Sequence, residues 1–220
     1  MADLIFEQGR IDPPAEAARF VDPDKGVASI EEALAGARDI IAERASEDPQ
    51  ARSEVRRLFS EEGVLRSKAS PTADGDGSKY RDYADWSEPL FWAPSHRVMA
   101  VLRGKKEGFL TLHAEPPAAD ALAILDRLFV RGKGPASEEV RLALQDGYRR
   151  LLAPALEREA LSAAREKAEE RAIGVFAENL RHLLLEPPLG ERRSWPSIRG
   201  LGPAARSSSS IPWGLSRQRR

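Results

Sequence analysis

The sequence predicts a mainly α fold: an elongated helical scaffold with a small two-stranded β element, a long C-terminal helix and a disordered tail. Three observations lead there. Apolar residues recur every three or four positions over most of 27–186, segments with strand character are few and short, and the composition changes abruptly after Arg193.

The first helix is signalled from Val27, where Ser29 and Glu32 have capping-box spacing and Ile30, Ala33, Leu34, Ala37, Ile40 and Ile41 fall on one face. Asp48 then caps a second helix with Pro49 at its first position, Val55, Leu58 and Phe59 inward, and Gly63 as its stop. Residues 64–69 read as extended, and 72–78, rich in Gly, Asp and Ser, as an exposed loop. Ser95 is placed to cap a helix through Arg103 that closes at Gly104, and 109–114 reads as the strand that pairs with 64–69. Pro116 and Pro117 break the chain before a helix over 119–130. From 136 to 186 the period is helical almost throughout, with Pro154 expected to kink or split it. The limb over 155–185 would be about 45 Å long at about 1.5 Å per residue.

A chain of 220 residues can bury one sizeable core or two small ones. Basic and acidic residues nearly cancel, for a net charge of −1, so any attraction to a polyanion must come from a local patch. The chain has no Cys, which removes disulfides, thiolate metal sites and thiol nucleophiles. No apolar run reaches the roughly 20 residues that span a bilayer, and the N-terminus has Asp3 where a signal peptide carries basic charge. A cytoplasmic protein without membrane contact is expected.

Catalytic and metal-binding patterns are weak. His96, His113 and His182 fall in three different elements, and no partner stands at the spacing of a known metal motif; Glu178 one turn before His182 reads as a surface ion pair. Asp82, Asp85 and Glu88 could supply paired carboxylates, yet Lys79 and Arg81 interleave with them as on a solvated, self-neutralising segment. Gly132 and Gly134 lie in a stretch lacking the Ser or Thr of a phosphate loop. The expectation is therefore no enzyme, no cofactor, no metal and no small-molecule substrate.

One local feature has binding chemistry. Residues 79–92 hold five of the chain's aromatics, interleaved with bases, and aromatic faces stack on nucleobases while Lys and Arg meet phosphates. Lys79, Tyr80, Arg81, Tyr83, Trp86 and Arg97 are accordingly the candidate nucleic-acid-binding residues, with Phe91, Trp92 and His96 beside them. The competing reading is a buried junction, favoured by the acids that alternate with these bases.

The strings KYRDYADWSEPL, PSHRVMAVLRGKKEG, ASIEEALAGARDIIAER and the long helical segment ending LLLEPPLGERR closely resemble the Tex family of bacterial transcription accessory proteins. The resemblance covers essentially residues 1–193. It implies the helical part of a larger protein that binds RNA or DNA, with transcription machinery as a further partner, and with nucleic-acid-binding modules outside this chain. Phe91 and Trp92 stand where the family usually shows polar or basic residues. The reading is thus a non-catalytic helical fragment, with a protein-docking scaffold or a nuclease-like fragment as rivals. Its domains are an incomplete Tex-like helical region over 1–193 and a tail over 194–220.

After Arg193 the family pattern continues with the first strand of an RNase H-like domain, of the type Ile-Asp-Pro-Gly. Here the chain instead reads Ser-Trp-Pro-Ser-Ile-Arg-Gly and then a run from Ser207 to Ser210, without an acid or an apolar period. That order is what GC-rich codons for the family segment give one nucleotide out of phase, so a frameshift at or just before Ser194 is expected. Gene sequencing checks it: a one-nucleotide shift restores an Ile-Asp-Pro-Gly strand and a long open frame, and failure to do so contradicts the idea.

Overall fold

The computed structural model describes residues 1–71 and 77–185. Most of the 72–78 loop, the proposed boundary at Arg193 and the tail after it lie outside the described residues. The chain divides into a compact unit, Met1–Ala177, and a second, Glu178–Arg220, of which the described part is helical.

Two short helices, α1 (Ala2–Phe6) and α2 (Pro13–Ala17), lead into α3 (Ile30–Glu47). The Glu32 backbone N–H donates to the Ser29 hydroxyl at 3.2 Å, and the Glu32 carboxylate reaches back to the N–H of Ala28 rather than Ser29. Helix α4 (Pro49–Glu62) starts as its sequence dictates, with Asp48 accepting from the Ala51 N–H at 2.8 Å and Pro49 where no donor is needed.

Strand β1 (Val64–Ala69) is followed by β2 (Asp85–Pro89), α5 (Ser95–Lys106) and β3 (Leu110–Glu115). The sheet has three antiparallel strands in the order β2-β1-β3, so the expected pair is present and gains β2 on its other side. Along β3 burial alternates strictly: Leu110, Leu112 and Ala114 face the core, while Thr111, His113 and Glu115 face out.

Two details of α5 correct the sequence reading. Pro94 occupies the cap position and Ser95 is the first helical residue, without a side-chain cap bond. Gly104 is not a stop but a buried interior residue. A Cβ there would lie 2.5 Å from Leu110 Cδ1 and 3.2 Å from Tyr80 Cδ1, so its role is close approach.

Helix α6 (Ala118–Phe129) precedes α7 (Pro135–Gly147), a single π turn over Tyr148–Leu152, and α8 (Ala153–Leu185). The expected break at Pro154 takes the form of that π turn, which ends just before the proline whose missing N–H the helix must accommodate.

Within the first unit apolar residues gather in two clusters. The larger joins α1 to α4 with α6, α7 and the start of α8, centred on Ile41, Phe59, Leu125, Leu144 and Leu156. The smaller lies under the sheet, where Leu65, Val101, Leu110 and Leu112 meet Ala168 of α8.

Helix α3 comes close to the end of α7 at Gly147, where an added Cβ would stand 3.0 Å from Ala42 Cβ and 3.1 Å from its backbone. Gly147→Val should therefore cost about 1–3 kcal/mol by overpacking. Urea unfolding that shows no loss would contradict this packing. At the same junction burial, and secondarily the Glu115 carboxylate, push the Tyr148 hydroxyl up to about 12 from its ordinary 10.0. The fold thus favours the protonated phenol, and this contribution to stability is full below pH about 10 and lost as pH rises toward 12. Tyr148→Phe should remove that part of the alkaline loss in denaturant titrations; an unchanged profile would contradict it.

Candidate nucleic-acid interface

The 3-10 turn over Ser78–Tyr83 is fastened to the sheet by the buried Ser67 hydroxyl, which donates to the Tyr83 carbonyl, and by the Ala69 N–H on the Ala84 carbonyl at 2.7 Å. Those bonds turn most of the candidate residues toward their own structure. Tyr80 is buried against Phe109, ring centroids 5.7 Å apart, and burial pushes its hydroxyl up from the usual tyrosine range. Tyr83 packs edge-on against Trp86 at 5.8 Å.

The candidate cations are mostly engaged. Lys79 Nζ lies 2.6 Å from Glu107 and 5.0 Å from the Tyr80 ring; the hydrogen bond holds Lys79 above and Glu107 below their ordinary values. Arg97 Nη1 donates to both Glu88 oxygens, at 3.1 and 3.3 Å. Arg81 alone of the six is a base without an ion pair among the described residues. Of the two readings of this block, packing accounts for Tyr80, Tyr83 and Trp86. Asp82, Asp85 and Glu88 do not converge on a common point, since Glu88 turns to Arg97.

A different surface has the chemistry sought there. The turn after β2 projects Phe91 and Trp92, whose rings meet edge-on at 4.9 Å, and Trp92 is 75% exposed. Behind them a groove of about 1080 Å³ runs between α5 and α8. Its α8 wall is the stripe Ala164, Lys167, Ala168, Arg171, Ala172 and Val175, one helical face at spacings of three and four. The alanines keep the wall low, and the longer side chains are basic.

His96 and Arg103 complete the lining from α5, and no acid among the described residues lines the groove. Lys167 Nζ also sits 5.3 Å over the Phe91 ring. Arg103 and Arg171 form no ion pair with any described residue; Arg103 acts on Glu107 only through space, so both guanidinium groups keep donors for a ligand. An apolar recess of about 390 Å³ adjoins it, sharing Leu90, Phe91, Ala164 and Lys167 and reaching Phe59 and Leu156. Exposed aromatic faces beside unpaired cations suit a single strand, whose bases stack while its phosphates are neutralised.

Phe91, Trp92 and His96 are neighbours in the sequence, but nothing local joins them to Lys167 and Arg171, which lie between 71 and 80 residues further along the chain. The helical spacing of 164, 167, 168, 171, 172 and 175 was the signal that could have found them.

Residues 8–176 match the family model described as Tex central region-like. The chain is 36% identical over 214 residues to YdcI of Bacillus subtilis, covering 96% of this chain and 29% of that one. It is 34% identical to Protein tex of Bordetella pertussis, covering 96% and 28%, and 32% identical to the transcriptional accessory protein Tex of Neisseria gonorrhoeae, covering 86% and 26%. It thus spans less than a third of the length of these relatives.

Proposed function

The chain belongs to the Tex central region-like family, and from that premise we propose that it is a non-catalytic helical scaffold of a Tex-like transcription accessory protein that holds single-stranded nucleic acid in the α5–α8 groove. The observation that carries this reading is a groove wall without an acid among the described residues, with Trp92 and Phe91 exposed at its edge and Arg103, Lys167 and Arg171 lining it. The name of the Neisseria relative points to transcription, which makes RNA or its DNA template the relevant strand and the transcription machinery the setting. A soluble, cytoplasmic protein fits this role, and among the described residues no helix is long and apolar enough to cross a membrane.

A protein-docking scaffold is the second reading. It draws on Ile173 and Phe176 of α8, each 67% exposed. A nuclease-like role would need Asp82 and Asp85 to act together on magnesium, and nothing in their placement favours it.

Fluorescence anisotropy with labelled single-stranded RNA and DNA at low and moderate salt separates these readings. Trp92→Ala should weaken binding roughly 5- to 150-fold, the range for loss of one stacked base. Lys167→Ala should weaken it for all sequences alike and flatten the salt dependence by about one phosphate contact. Arg81→Ala should change little. Absence of binding at low salt would leave protein docking.

A further inference from the structure

We propose that His113, Glu115 and Glu157 form a binding site for a divalent transition-metal ion, with zinc as the best match, that clasps the free edge of the sheet to α8. Strand alternation places His113 and Glu115, two residues apart, on the outward face of β3. Glu157 comes from the start of α8. One ligand atom from each residue lies within 4.8 Å of the other two. His113 Nδ1 stands 3.2 Å from Glu157 Oε1, close to the roughly 3.3 Å between two donors that are each about 2.0–2.1 Å from a tetrahedral ion.

The site has supports that a chance surface cluster lacks. Glu157 is 16% exposed, and its Oε1 accepts the Ala114 backbone N–H at 3.0 Å. That N–H belongs to the edge of β3 away from β1, so the sheet fixes the orientation of this carboxylate while the second lone pair of Oε1 stays open toward His113.

Charge points the same way. Two carboxylates and a neutral imidazole carry −2, and the cross-strand neighbour of His113 is Arg66, which forms no ion pair among the described residues. A divalent ion neutralises what one arginine does not. An ion pair between His113 and Glu157 accounts for those two residues and leaves Glu115 without a role. One imidazole nitrogen with two carboxylate oxygens suits zinc better than calcium or magnesium, which take oxygen ligands. The fourth position falls to water, and the ion serves to tie two elements together.

Zinc chloride titrated into the full chain tests this, read by calorimetry and by the ring signals of the three histidines in NMR. One saturable equivalent should bind, shifting the His113 signals and not those of His96 or His182. His113→Ala should abolish the binding; its side chain is exposed, so the fold is retained, as far-UV circular dichroism should verify. Glu115→Gln and Glu157→Gln should each weaken binding at least about tenfold, and Arg66→Gln should tighten it. Zinc should raise the melting temperature of the wild type and not of His113→Ala. The proposal is overturned if His113→Ala binds zinc like the wild type, if Glu115→Gln leaves the affinity unchanged, or if all three imidazoles respond alike.

Discussion

One face of one helix carries much of this structure. Helix α8 enters the larger core through Ala153 and Leu156, passes Ala160, and reaches the sheet core through Ala164 and Ala168. A stripe of small residues permits close contact, and the same stripe makes the helix poor in buried area. Ion pairs flank it instead: Glu159 takes Arg52 at 3.1 Å and Arg56 at 2.7 Å from α4, which hold Glu159 below the ordinary carboxylate range. These pairs are partly exposed, so their worth is position rather than large stability. The π turn before Pro154 lets α7 and α8 follow one another while each serves its own packing partners.

That arrangement decides where binding chemistry is available. Bases near acids are spent internally: Lys79 on Glu107, Arg97 on Glu88, Arg150 on Asp39 and Asp146. In a chain whose charges nearly cancel, a polyanion site depends on cations kept apart from acids. The α5–α8 groove is such a place, because its α8 face presents alanines, Lys167 and Arg171, while Glu166, Glu169 and Glu170 lie outside its lining. Phe91 and Trp92 add exposed aromatic surface that buried Tyr80 cannot offer.

Much of the helical framework was legible in the sequence because capping and periodicity are local. Ser29, Asp48 and Pro49 mark helix starts by their own side-chain chemistry, and β3 shows in the alternation of Leu110, Leu112 and Ala114 with polar residues, with β1 as the extended partner it needs. Strand β2 was not legible: Asp85-Trp86-Ser87-Glu88-Pro89 carries two acids and a proline, and its pairing with β1 is what makes it a strand. Gly104 looked like a helix stop because its real constraint, the approach of Leu110 and Tyr80, lies in other elements. The candidate block at 79–97 was rightly seen as a packed junction in part, but Glu107, the partner of Lys79, could not be assigned from sequence. His113 and Glu115 show strand spacing for a shared face, whereas Glu157 joins them only in the fold.

In the proposed arrangement nucleic acid meets the α5–α8 groove face in preference to the turn that carries Tyr80 and Tyr83. Ultraviolet cross-linking of a single-stranded oligonucleotide to the full chain at low salt, followed by peptide mass spectrometry, tests it most directly. Cross-links are expected on Phe91 or Trp92 themselves and on the α8 residues around Lys167 and Arg171. Cross-links confined to Tyr80, Tyr83 and Trp86, as fragmentation of the peptides assigns them residue by residue, or none at all, would contradict this placement.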